Sequence, residues 1–130
     1  MGEIFAGLTE RFPDLRFTHL PVYQHIDHPP SGTRLTTLAD RAQLTKQAMI
    51  EVVDDMERKE FVERAADPAD RRAKLIRLAP RGWSAHEEAI AVGQRLQQRW
   101  AAQLGEKDFD QLLELLRRLN DLVGADPRHA

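Results

Sequence analysis

The chain has 130 residues, enough for one domain with one real core and little to spare. Apolar residues at 42% with charged residues at 31% fit an ordered, helix-rich protein and exclude a disordered tail, whose apolar content could not offset chain entropy. Cysteine is absent, which excludes disulfides and thiolate metal sites, and the formal charge of −2 leaves any attraction for a polyanion to a local patch.

In chain order, "EIFAGLTERF" predicts a short amphipathic helix through Ile4, Phe5, Leu8 and Phe12 that ends near Pro13. A second helix is expected over "THLPVYQHI", with Thr18 as its cap and Pro21 in its first turn, where a missing N–H is tolerated. "HPPSG" reads as a loop, and Thr33 to Leu35 as a short edge strand. Leu38, Ala39 and Ala42 then form one apolar face, and Ala48, Met49, Val52, Val53 and Met56 another, so two helices meet at a tight turn. Thr37 with Asp40 resembles a capping box for the first of them, and Thr45 can cap the second.

A strand "FVER", an Asp-Pro-Ala-Asp turn and a strand "KLIRLA" follow as a hairpin. From Val62 to Gly82 the cations Arg64, Arg71, Arg72, Lys74, Arg77 and Arg81 outnumber the acids Glu63, Asp67 and Asp70, which is the local patch that the net charge requires. After Gly82 one long helix carries Trp83, Ala89, Val92, Leu96 and Trp100. Another carries Phe109, Leu112, Leu113, Leu116, Leu119 and Val123 and is expected to end at Gly124 and Pro127, before a frayed "ADPRHA" tail.

From about Thr18 to Val123 the chain resembles the MarR family of winged helix-turn-helix regulators, most specifically over "RLTTLADRAQLTKQAMIEVVDDMERKEFVERAADPADRRAKLIRLAPRG". The family's wing pattern falls on Asp70, Arg72, Leu78 and Gly82, with Ala79 where Thr is usual. Gln43 and Glu60 stand where the family often has Gly, and a non-glycine residue forced to positive φ costs on the order of 1 kcal/mol. Family members usually begin with a longer helix that helps wall an effector pocket; here about a dozen residues precede Pro13.

The resemblance implies a mainly α fold with a small β-hairpin wing: N-terminal helices in residues 1–32, the winged helix-turn-helix in 33–82 and dimerisation helices in 83–124. It also implies a homodimeric repressor that binds a pseudopalindromic operator in double-stranded DNA, with release by a small aromatic-type effector left open. Thr45 opens the recognition helix. Gln47 suits an adenine edge, Lys46 a phosphate or guanine, Ile50 a thymine methyl and Thr37 a phosphate. On the wing, Arg72 held by Asp70 is expected in the minor groove, with Arg71 able to exchange roles and Lys74 beside them. The acids Glu51, Asp54, Asp55 and Glu57 are expected to face away from DNA.

The dimer interface is expected at Leu96, Trp100, Phe109, Leu112, Leu116 and Leu119, because the two C-terminal helices carry more apolar surface than one small domain needs. Tyr23, Trp83 and Trp100 suit core or subunit packing better than an effector pocket. His19, His25 and His28 lack compact ligand spacing on one helix face, and His86 with Glu87 reads as wet helix surface; no metal or cofactor is expected. No nucleophile with its base and no phosphate-cradling glycine loop points to an enzyme. The start "MGEIFAGLTERF" lacks the pattern of a secretory signal and no apolar run reaches spanning length, so a cytoplasmic location without a membrane partner is expected. A winged helix used for protein contact, without effector sensing, is the alternative function.

Overall fold

The computed structural model describes residues 2–27 and 32–125. Helix α1 spans Gly2–Arg11, a 3-10 turn Phe17–His19 leads into α2 (Leu20–His25), and β1 (Thr33–Arg34) runs directly into α3 (Leu35–Ala42). Then come α4 (Lys46–Arg58), β2 (Val62–Asp67), β3 (Asp70–Leu78), α5 (Pro80–Leu104) and α6 (Glu106–Ala125). The chain divides into two compact units after Ile90, within α5.

In the first unit the strands form an antiparallel sheet in the order β1-β3-β2. Residues Val62 and Leu78 pair at the base of the hairpin, and Thr33 and Arg34 pair with Ile76 and Leu75. The core gathers Phe12, Val22, Leu38, Met49, Val53, Met56, Phe61 and Ile76, of which Val22, Leu38, Met49, Val53, Met56 and Phe61 are 0% exposed. Each large side chain buried in this way stabilises the fold by about 1.5–3 kcal/mol relative to exposure. The apolar spacing read on α3 and α4 is therefore the face that packs this core.

The turn between α3 and α4 is tight because Gln43 takes the left-handed conformation, with φ 56°, while Leu44 N–H bonds back to the Ala39 carbonyl at 2.9 Å. Glu60 does the same after α4, at φ 65°. Both are the positions where the family pattern favours glycine, and both hold the strained geometry with a side chain in place. Gly82 is required for space. A Cβ there would lie 1.9 Å from the Phe61 carbonyl oxygen, which already accepts the Ala79 N–H at 3.0 Å.

Three capping and boundary expectations are corrected. Thr18 does not cap the second helix: it is exposed inside the 3-10 turn, whose preceding residue Arg16 donates its backbone N–H to His19 Nδ1 at 3.1 Å. Thr37 does not cap α3, because pairing with β3 holds the chain extended only through Arg34 and the helix starts at Leu35, two residues before Thr37. Leu35 for the same reason belongs to the helix and not to the strand. Helix α6 continues through Gly124 to Ala125; Pro127, the tail and His28 lie outside the described residues, as do the side chains of Ile4 and Phe5.

In the second unit α6 follows Gly105, which takes φ 98°. Its first turn carries Glu106 and Asp108, whose charge suits the positive end of the helix dipole. Leu96 and Phe109 are buried. Leu115, Leu116, Leu119 and Leu122 of α6 are exposed by 49% to 71%.

Candidate nucleic-acid interface

The Thr45 hydroxyl accepts the Ala48 N–H at 3.0 Å and so fixes the start of α4. Lys46 and Gln47 stand exposed in the first turn. Ile50 is half-buried beside the core-facing Met49 and Val53, leaving part of its side chain accessible. Thr37 is half-buried in the first turn of α3, next to an exposed Thr36.

The hairpin is anchored at its turn. Asp67, only 7% exposed, accepts the Ala69 N–H at 2.9 Å on one carboxylate oxygen and Arg34 Nε and Nη2 at 2.9 and 2.6 Å on the other. The Ala69 N–H and then the Arg34 guanidinium hold the Asp67 carboxyl below the usual carboxylate range. This contact joins residues 33 positions apart and ties the wing to the edge strand. Asp70 accepts the backbone N–H of Arg72 at 3.0 Å, so it shapes the strand at Arg72 instead of gripping the guanidinium.

Ion pairing sorts the basic patch into two groups. Arg64 is held by Asp54 and Glu57 of α4, Arg77 by Glu63 at 2.6 Å, and Arg81 by both oxygens of Asp14 at 2.6 and 2.8 Å. Arg81 also donates to the Lys59 carbonyl and lies 4.4 Å from the Phe61 ring centroid, so it locks the end of α4 to the segment after α1. By contrast Arg71, Arg72 and Lys74 near the wing tip, and Lys46 on α4, are exposed and make no ion pair with a described residue. Their positive charge is uncompensated, and it collects on the two elements that a winged helix presents to a duplex.

The far end of α4 is held by a polar network. His19, 1% exposed, donates from Nε2 to Asp55 at 2.7 Å while its Nδ1 accepts the Arg16 N–H, which specifies the neutral ring. Burial pushes the His19 pKa down against the pull of Asp55. Asp55 also pairs with Lys59 at 2.8 Å and Arg58 at 3.2 Å, and the Lys59 and His19 bonds keep it ionised well below the usual range. Of the four acids expected to face away from DNA, Asp54, Asp55 and Glu57 are engaged in these ion pairs, whereas Glu51 is exposed with no ion pair to a described residue.

His86 is half-buried, not wet helix surface: its ring stacks at 2° to the Tyr23 ring, 6.4 Å away, and meets Trp83 edge-on at 5.7 Å. Tyr23 donates its hydroxyl to the Gly82 carbonyl at 3.2 Å, and burial raises its pKa. Trp100 lies in the second unit, on a groove of about 330 Å³ with Leu104, Phe109 and Leu112. Of the residues expected at a subunit interface, Leu96 and Phe109 are buried within the chain itself, while Trp100, Leu112, Leu116 and Leu119 are 42% to 55% exposed. Among the described residues there is no cluster of metal-ligating side chains, and no helix is long and apolar enough to cross a membrane.

Residues 22–74, from α2 through the wing tip, match the MarR family model. The transcriptional regulator HosA of Escherichia coli O111:H- is 27% identical over 123 residues, covering 92% of this chain and 90% of its own. Among solved structures, an S. aureus MepR–DNA complex aligns with a TM-score of 0.71 at 24% identity, over 94% of this chain and 91% of that one. Rv1404 from Mycobacterium tuberculosis aligns with a TM-score of 0.75 at 16% identity, over 96% and 84%. The two solved structures share the fold described above. Residues 22–74 thus match the MarR-family model, and along most of its length the chain is similar to a transcriptional regulator and has the fold of the solved structures.

Proposed function

We propose that the protein acts as a homodimeric repressor that grips a pseudopalindromic duplex with the start of α4 in the major groove and the wing tip in the minor groove. The observation that carries this reading is the sorting of charge. Cations elsewhere in the patch are neutralised by Asp14, Asp54, Glu57 and Glu63, whereas Lys46, Arg71, Arg72 and Lys74 are left to meet phosphates or a narrow groove. A relative of the same fold is solved on DNA, which supports the same use here.

The exposed Leu112, Leu116, Leu119 and Leu122 of α6 support the dimer, since a contiguous apolar stripe of this kind is normally covered by a partner. Two copies would set two recognition helices against successive half-sites about one turn of duplex apart. The test is recovery of genomic duplex fragments on the purified protein, with sedimentation of the free protein and repetition in the presence of candidate aromatic acids. Enrichment of fragments sharing an inverted repeat by a dimer is expected. A protein that recovers no fragment preferentially is instead a winged helix used for protein contact.

A further inference from the structure

We propose that Glu51 reads a cytosine in the operator, one helical turn along α4 from the base met by Gln47. This rests on the DNA-binding reading above and deepens it. Four carboxylates follow the first turn of α4, and three are committed: Asp54 and Glu57 to Arg64, and Asp55 to His19, Lys59 and Arg58. Glu51 is exposed and makes no ion pair with a described residue. It follows Gln47 by four residues, so the two side chains stand on one face of the helix, opposite the buried Met49, Val53 and Met56.

A carboxylate on the face offered to DNA loses affinity wherever it meets phosphate. The base edge it meets favourably is a bare amino donor, and in the major groove that is cytosine N4. Guanine and thymine present acceptor oxygens there, and the N6 donor of adenine sits beside the N7 acceptor, which repels the second carboxylate oxygen. Gln47, able to donate and accept, suits adenine; Glu51 completes a two-base reading. Four residues of helix rise about 6 Å, which places the cytosine about one or two base pairs from the Gln47 contact.

The experiment is selection from a randomised duplex library by full-length protein and by its Glu51→Ala and Glu51→Gln variants. The wild type is expected to enrich cytosine at one half-site position, within about two base pairs of the adenine whose preference is lost in Gln47→Ala. Glu51→Ala should relax that position about tenfold while leaving the others intact, and Glu51→Gln should move its preference toward adenine. If Glu51→Ala leaves every position unchanged, or tightens all sequences alike with a steeper salt dependence, Glu51 is a repulsive bystander and the proposal fails alone. A wild type that enriches no sequence overturns both this inference and the function it rests on.

Discussion

At the N-terminal end of α4, Lys46, Gln47 and Glu51 are exposed and have no ion-pair partner among the described residues, whereas at the C-terminal end Asp54, Asp55, Glu57 and Arg58 are all engaged. The hairpin repeats the division. Its base carries Arg64 and Arg77, each held by glutamate, and its tip carries Arg71, Arg72 and Lys74 without such partners. A basic patch is therefore not defined by its count of cations. Half of the cations between Val62 and Gly82 are structural, fastening β2, β3 and α5 to neighbouring segments, and only the remainder are placed to attract a polyanion.

The largest expected effect that separates the two ends is on stability. Asp55→Ala removes the acceptor of the buried His19 Nε2–H and is expected to cost about 1–3 kcal/mol in urea unfolding, while leaving the order of preferred DNA sequences unchanged. An altered preference at full stability would erase the distinction between the ends. The same network gives a pH dependence. Burial places the His19 pKa in the folded state below its ordinary 6.5, so the unfolded chain takes up the proton first, and this contribution to stability declines as pH falls below 6.5 toward the folded value. Comparing urea midpoints at about pH 7 and pH 5 should show a loss in the wild type that is reduced in His19→Asn.

A smaller change is expected where α4 begins. Gln43→Gly relieves a positive φ of 56° and should stabilise the fold by about 1 kcal/mol or less, because glycine's greater freedom in the unfolded chain offsets part of the gain. A destabilised variant would mean that the side chain makes up for the strain. The smallest effect is expected at Asp70. Its carboxylate serves the Arg72 N–H, and Asp70→Asn keeps an acceptor oxygen while removing a negative charge from the wing tip. Stability should shift by less than about 0.5 kcal/mol and duplex affinity should hold or rise slightly in a fluorescence titration. A clear loss of affinity would restore the side-chain grip on Arg72 that the sequence pattern suggests.

Much of this fold is legible in the sequence because its signals are local. The Thr45 cap, the apolar faces of α3 and α4 and the hairpin around Pro68 each depend on a few neighbouring residues, whereas the left-handed turns at Gln43 and Glu60 are pointed to only by the resembled family's usual glycines. What stayed hidden depends on distant partners. Thr37 carries a good capping pattern, but a strand pair with residues some forty positions away decides where α3 starts. Arg34 with Asp67, and Arg81 with Asp14, join segments 33 and 67 residues apart, and no spacing rule finds them. Glu51 is different in kind. By sequence it groups with the acids expected to face away from DNA, and only the structure shows that the other three are committed to ion pairs while it is not.

The salt dependence of affinity distinguishes binding driven by the unpaired cations from binding driven by the whole basic segment. The slope of log affinity against log salt should be compared between wild type, an Arg71→Ala, Arg72→Ala, Lys74→Ala variant of the wing tip, and an Arg64→Ala, Arg77→Ala variant of the wing base. The tip variant is expected to flatten the slope by about 0.9 for each phosphate contact removed, with little change in thermal stability. The base variant should lose stability and keep its slope. A base variant that flattens the slope as much as the tip variant does would contradict the account.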